Sequence, residues 1–112
     1  MTMDDIRRGD HADLAAAELP DGLAIRRLVD AYASFADRLD AAGQMVLFTE
    51  DTDFLLSLGG RNPSPSQHIC GWAALAPVFD ELNTYPSALH FNGQTITVLD
   101  GGQASGVTYC LA

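Results

Sequence analysis

The chain has 112 residues, 47% hydrophobic and 19% charged, which is enough for one compact domain with a real core and leaves no room for a second. Lys and Arg total 6 against 15 Asp and Glu, and the resulting formal net charge of -9 repels phosphate backbones and anionic headgroups, so nucleic acid and membrane surfaces are poor partners. The two cysteines, Cys70 and Cys110, read as free thiols in a reducing compartment, and neither a signal peptide nor a membrane span is visible, so the expected location is cytoplasmic.

Residues 1–22 are acidic and interrupted, and read as an N-terminal arm or short lead-in helix that ends at Pro20-Asp21-Gly22. Asp21 can cap a long helix in which Ile25, Leu28, Val29, Tyr32, Phe35, Ala36 and Leu39 recur at the spacing of one face. Asp40 then caps a shorter helix through Met45 and Phe48. From Thr52 to Leu58 the helical period gives way to a short strand stopped by Gly59-Gly60, Arg61 to Ser66 is a Pro and Ser loop, and Gln67 to Cys70 is the returning strand of a hairpin. Pro77 belongs in a first turn or marks a kink, which places a regular helix at about Ala74 to Asn83. After Tyr85-Pro86, the β-rich runs Ala88 to Leu99 and Gln103 to Leu111 flank Asp100-Gly101-Gly102, a tight-turn signal because Asp and Gly tolerate positive φ. A long hairpin with one buried face needs a further strand or a helix as cover, so the expectation is that a partner chain or residues beyond Ala112 complete the sheet.

This order, with Ala31-Tyr32-Ala33 through Asp37-Arg38-Leu39-Asp40, Leu47-Phe48-Thr49-Glu50-Asp51, Cys70-Gly71-Trp72, and Leu89-His90-Phe91-Asn92 through Gly106-Val107-Thr108-Tyr109, resembles the SnoaL-like branch of the nuclear transport factor 2-like superfamily. The resemblance implies an α+β fold over residues 23–112, taken as one domain, in which a curved antiparallel sheet wraps the long first helix as a cone and leaves a pocket at its open end. It also implies a homodimer through the outer sheet face. The branch includes polyketide cyclases and scytalone dehydratase-like and bile-acid dehydratase-like lyases. Members usually continue with one or two more long strands, so the expectation is that pocket residues carried there have no counterpart in these 112 residues.

His90 is the leading catalytic candidate. Alternation in the predicted strand puts His90, Asn92, Gln94, Ile96 and Val98 on one face, and imidazole is suited to moving a proton at neutral pH. In dehydratase-like relatives a histidine at the corresponding position is the general base; otherwise His90 is a half-buried histidine bonded to a backbone carbonyl. Tyr32 lies on the apolar stripe of the first helix, where by itself it reads as a core tyrosine with a satisfied hydroxyl, and the resemblance implies instead that its hydroxyl polarises a substrate oxygen. Asp37 stands five residues later, the spacing at which the bile-acid dehydratase-like members place a carboxylate that orients the histidine. Five residues turn about 140° on an ideal helix, so convergence with Tyr32 needs a bent helix end or a pocket that wraps around it.

Phe54, Leu56, Trp72, Phe79 and Asn92 are the candidate substrate-binding residues, although for the apolar ones a place in the core is the better reading. His11 and His68 read as surface residues without paired ligands. No HExxH-like spacing occurs, so no metal site is expected, and no Gly-rich loop opens a helix, so no nucleotide cofactor is expected. The isomerase-like members need an acid within the first short strand, where Phe54-Leu55-Leu56-Ser57-Leu58 offers none beyond Asp53. The functional expectation is a cofactor-independent lyase, cyclase or isomerase acting on a small apolar ring compound of polyketide or steroid-like type. The alternative is a non-catalytic domain that binds a small ligand or dimerises.

Overall fold

The structure, a computed structural model, describes residues 16–57, 67–84 and 87–112. The acidic lead-in with His11, the glycine stop and loop at 59–66, and Tyr85-Pro86 lie outside the described residues. After a 3-10 turn at Ala16–Glu18 comes the long helix α1, Leu19–Asp37. Its start lies before the expected break, and Pro20, Asp21 and Gly22 sit in its first turn. Proline is tolerated there because its missing N–H has no intrahelical acceptor in any case, and an acid favours the positive end of the helix dipole. The inward stripe is narrower than the periodicity suggests: Ala33 and Ala36 are buried, Ile25, Val29, Tyr32 and Phe35 half-buried, and Leu28 exposed.

The end of α1 is built by backbone bonds. Asp40 N–H donates to Phe35 O at 2.8 Å and Leu39 N–H to Ala36 O at 3.1 Å, with Leu39 at φ 57, which is the paired bonding of a Schellman ending. Asp40 then caps α2, Ala41–Met45, its carboxylate accepting from Gly43 N–H at 2.9 Å, as the sequence predicts. The Phe35 ring lies where a side chain at Gly43 would stand, so glycine is what allows this close turn.

Contacts divide the chain into two units, one comprising the described residues up to Ser34 with Leu89–Ala112, the other Phe35–Ala88. In the second, β1 (Asp53–Leu56) and β2 (Gln67–Cys70) form the expected antiparallel hairpin, pairing Asp53 with Cys70 and Phe54 with Ile69. Helix α3, Trp72–Leu82, supplies the core residues Leu75 and Phe79, neither with any exposed surface. The Phe48, Phe54 and Phe79 rings meet with centroids 5.7 to 5.9 Å apart. Gln44, also buried, accepts from Asn83 Nδ2 at 3.3 Å, so its carbonyl is not left without a donor. Helix α3 starts two residues earlier than expected and carries Pro77 inside it. Its first turn is anchored before the proline, by Trp72 N–H on Glu50 O and Leu75 N–H on Gly71 O, both at 3.1 Å, so the lost amide costs one bond without preventing the start.

In the first unit, β3 (Phe91–Asp100) and β4 (Gln103–Leu111) form the long hairpin around Gly101-Gly102, with Gly101 at φ 59. Two details depart from the sequence reading. The strand begins at Phe91, so His90 stands just before it, and the pairing register shifts between Asn92 and Thr95. Such a bulge inserts an unpaired residue and reverses the alternation beyond it. Asn92 and Thr95, three positions apart, therefore both reach α1, and the single face expected to carry Asn92, Gln94, Ile96 and Val98 is broken; Gln94 is exposed. Among the described residues, no helix is long and apolar enough to cross a membrane.

Candidate functional site

Within the first unit, the bulge fixes how β3 meets α1. Arg26 donates to Gly93 O at 2.8 Å and to Thr95 Oγ1 at 2.6 Å while pairing with Asp30 at 3.2 Å. Asn92 Nδ2 donates to Asp30 Oδ1 at 3.2 Å and to Val29 O at 3.4 Å. The start of β3 is thereby tied to the turn of α1 that precedes Tyr32. His90, half-buried, stands two residues before Asn92, and Tyr32, also half-buried, three residues after Val29. Two extended residues span about 7 Å and three helical residues rise about 4.5 Å, so the backbone at each position lies a short way along the chain from the tie. Sequence reasoning placed Asn92 at the substrate; its amide hydrogens are used on the helix. Arg26 and Asp30, the residues that organise this junction, look like solvated helix charges in the sequence and gave no signal.

An open groove of about 350 Å³ lies elsewhere in the same unit, between Asp21, Ala24 and Ile25 of α1 and Leu99, Gln103 and Ala104 of the hairpin. Tyr32, His90 and Asn92 do not line it.

The remaining sequence candidates belong to the second unit. Asp37 is the half-buried last residue of α1. Phe54 and Phe79 belong to the aromatic cluster, Phe79 closed to solvent, and Leu56 is half-buried beside them in β1. Trp72 is 38% exposed and its indole N–H donates to Phe48 O at 2.9 Å, so its polar edge is spent on tying α3 to the preceding loop.

One grouping in this unit was missed. Asp53, His68 and Cys70 share the outer face of the β1–β2 hairpin, and one ligand atom from each lies within 4.8 Å of the other two. His68 is exposed, as expected, but its Nε2 stands 3.1 Å from Asp53 Oδ1 and 3.4 Å from Cys70 Sγ, which corrects the reading that it has no paired ligands. Its hydrogen bond, followed by that of Cys70, holds the Asp53 carboxyl below the usual carboxylate range. Loss of solvent and then Asp53 push the Cys70 thiol up. The i, i+2 spacing of His68 and Cys70 was legible as a shared strand face; the strand register that adds Asp53 was not.

Residues 17–112 match the family model of the SnoaL-like domain. No curated protein matches the chain significantly. Among solved structures, the chain is similar to a candidate scytalone dehydratase from Novosphingobium aromaticivorans, with a TM-score of 0.72 and 18% identity over 83% of this chain and 59% of that one. At that identity the likeness shows the fold, and the chain spans about three-fifths of that protein's length. The long helix followed by antiparallel strands agrees with it, and the chain belongs to the SnoaL-like family of the nuclear transport factor 2-like superfamily, with an α+β fold.

Proposed function

We propose that the protein is a cofactor-independent acid-base lyase that dehydrates a small apolar ring compound of polyketide or steroid-like type, bearing a hydroxyl β to a carbonyl. The observation that carries this reading is the Asn92 tie to Val29 and Asp30, which keeps the His90 and Tyr32 segments together within one unit. Family membership and the likeness to a candidate scytalone dehydratase support the same reaction class. In the proposed step, the His90 imidazole takes a proton from the carbon beside the carbonyl, and the C–H electron pair becomes the new double bond as the C–O bond breaks. The departing hydroxyl takes the proton back from the imidazolium and leaves as water, so the protein ends as it began. Tyr32 donates a hydrogen bond to the carbonyl oxygen while negative charge develops there.

The test offers a panel of β-hydroxy ring ketones and follows enone or aromatised product by ultraviolet absorbance. His90→Ala is expected to lower kcat by about 10²- to 10⁴-fold with an unchanged far-UV circular dichroism spectrum. Equal turnover by wild type and variant removes His90 from the mechanism.

A second reading, a binding or dimerising domain without catalysis, is favoured by one observation. Phe91, Tyr109 and Leu111 are 69%, 60% and 76% exposed, and Phe91 and Leu111 are cross-strand partners. Large apolar side chains grouped on an open hairpin suit a second copy of the chain. On that reading Leu111→Glu lowers the sedimentation mass, whereas Tyr32→Phe combined with His90→Ala leaves it unchanged.

A further inference from the structure

We propose that Asp53, His68 and Cys70 form a binding site for a borderline-soft divalent metal ion, zinc above all, on the outer face of the β1–β2 hairpin. The strand geometry brings the donors together. Asp53 and Cys70 are direct cross-strand partners, and His68 lies two residues before Cys70 on the same side of the pleat. The opposite side of the hairpin carries Phe54 and the buried Ile69, so the inward packing fixes the register that aligns the three donors. All three are exposed, so an ion can enter from solvent.

The two separations from His68 Nε2 are close to edges of a coordination tetrahedron. With Zn–N and Zn–O about 2.05 Å and Zn–S about 2.3 Å, the edge between nitrogen and sulfur is about 3.6 Å, and between nitrogen and oxygen about 3.3 Å. The observed separations are 3.4 Å and 3.1 Å. The third pair, the Asp53 oxygen and the Cys70 sulfur, lies within 4.8 Å, and an ion would draw these two exposed side chains together on binding.

In the metal-free chain hydrogen bonds join the three groups, His68 and Cys70 both bonding the Asp53 carboxylate. The carboxylate and the sulfur both approach the same ring nitrogen, Nε2, which can donate to one of them or accept from the thiol, not both at once. A Cys–His–Asp relay for nucleophilic catalysis is excluded for the same reason, because it uses opposite ring nitrogens for acid and nucleophile. Three ligand atoms gathered this closely at an exposed face also suit a cation. Carboxylate, imidazole and thiolate are all zinc ligands, and the thiol proton passes to solvent on binding. Three protein ligands leave a fourth position for water or a small anion, the arrangement of open zinc sites as opposed to closed four-ligand ones.

The test titrates cobalt(II), then zinc, into the reduced, chelator-treated full chain. The expected result is a sulfur-to-cobalt charge-transfer band in the near ultraviolet together with the visible bands of tetrahedral cobalt, both displaced by zinc. Cys70→Ser abolishes the charge-transfer band, and His68→Gln and Asp53→Asn each weaken zinc binding by at least about tenfold, the lower end of what loss of even a supporting group costs. Cys110→Ser, which removes the other thiol, keeps the full spectrum. The variants are compared by far-UV circular dichroism, and all sit at exposed positions where folding survives. Absence of the charge-transfer band in the wild type, its survival in Cys70→Ser, or its loss in Cys110→Ser overturns the proposal.

Discussion

Arg26 on α1 donates to the Thr95 hydroxyl on β3 at 2.6 Å, across 69 positions of sequence. The same guanidinium reaches Gly93 O, inside the register shift, so one side chain holds the irregular part of the strand against the helix. Thr95 Oγ1 also lies 3.0 Å from Thr108 Oγ1, which extends the junction to β4. A bulge leaves backbone groups outside the ladder, and here a carbonyl in that gap finds its donor on a helix.

Arg26→Met keeps much of the aliphatic stem and removes these donors. It is expected to destabilise the chain by about 1–2 kcal/mol, the range of a charge-assisted bond discounted for partial exposure. Arg26→Lys recovers only part, since an ammonium lacks the planar fork that serves two acceptors. Urea unfolding checks this: the midpoint falls while the slope holds. An unchanged midpoint in Arg26→Met would show the junction to be energetically idle.

Gly71 separates β2 from α3 at φ 82 and ψ 163, a region that side chains other than glycine's hydrogen rarely enter. Its N–H donates to Thr52 O at 2.7 Å, so the backbone cannot rotate away without losing that bond. Gly71→Ala is expected to cost about 1–3 kcal/mol, although the space for the methyl group is adequate, with Glu50 O at 3.5 Å. A thermal midpoint equal to wild type would mean that the turn relaxes freely.

The elements that local chemistry determines were legible in the sequence. Asp40 as a cap, the Gly101-Gly102 turn and the pairing of the 53–56 and 67–70 strands arise from side-chain hydrogen bonding, positive φ and turn-bounded apolar runs. The start of α1 was misplaced because Pro20 reads equally as a break or as a first-turn residue, and packing beyond the local window decides which. The face of β3 was misread because a bulge has no residue signature comparable to a tight turn. His68 looked solitary for a related reason: cross-strand neighbours depend on register, which a linear spacing rule cannot supply. The family resemblance brought His90, Tyr32 and Asp37 forward, and the hydrogen bonds made by Asn92 and Arg26 come from the folded chain alone.

Phe79 has no exposed surface and meets both Phe48 and Phe54. Phe79→Ala removes the ring that both neighbours lean on and is expected to cost about 3–5 kcal/mol, comparable with much of a small domain's stability. Phe79→Leu keeps more of the volume and costs less. Denaturant unfolding of the two variants gives the order. A loss in Phe79→Ala as small as that in Phe79→Leu would indicate that the neighbouring rings collapse into the space.

The outer hairpin face also has a pH signature in the metal-free chain. Asp53 titrates below its ordinary value of 3.8, first because His68 and then because Cys70 hydrogen-bonds the carboxylate. A carboxyl with a lowered folded-state pKa stabilises the fold fully above the unfolded value, and that contribution fades as pH falls through the lower, folded value. The Asp53 contribution is therefore present at neutral pH and lost only in acid, which a carboxyl carbon NMR titration reads directly. The Cys70 thiol moves upward from 9.0, first through loss of solvent and then through the hydrogen bond and charge of Asp53. Asp53→Asn removes the carboxylate causes and leaves the desolvation, so more of Cys70 is thiolate at a fixed, mildly alkaline pH. Alkylation of Cys70, monitored in a Cys110→Ser background with chelator present, is expected to be faster in Asp53→Asn than in the parent. An equal or slower rate would show that the carboxylate does not hold the thiol proton.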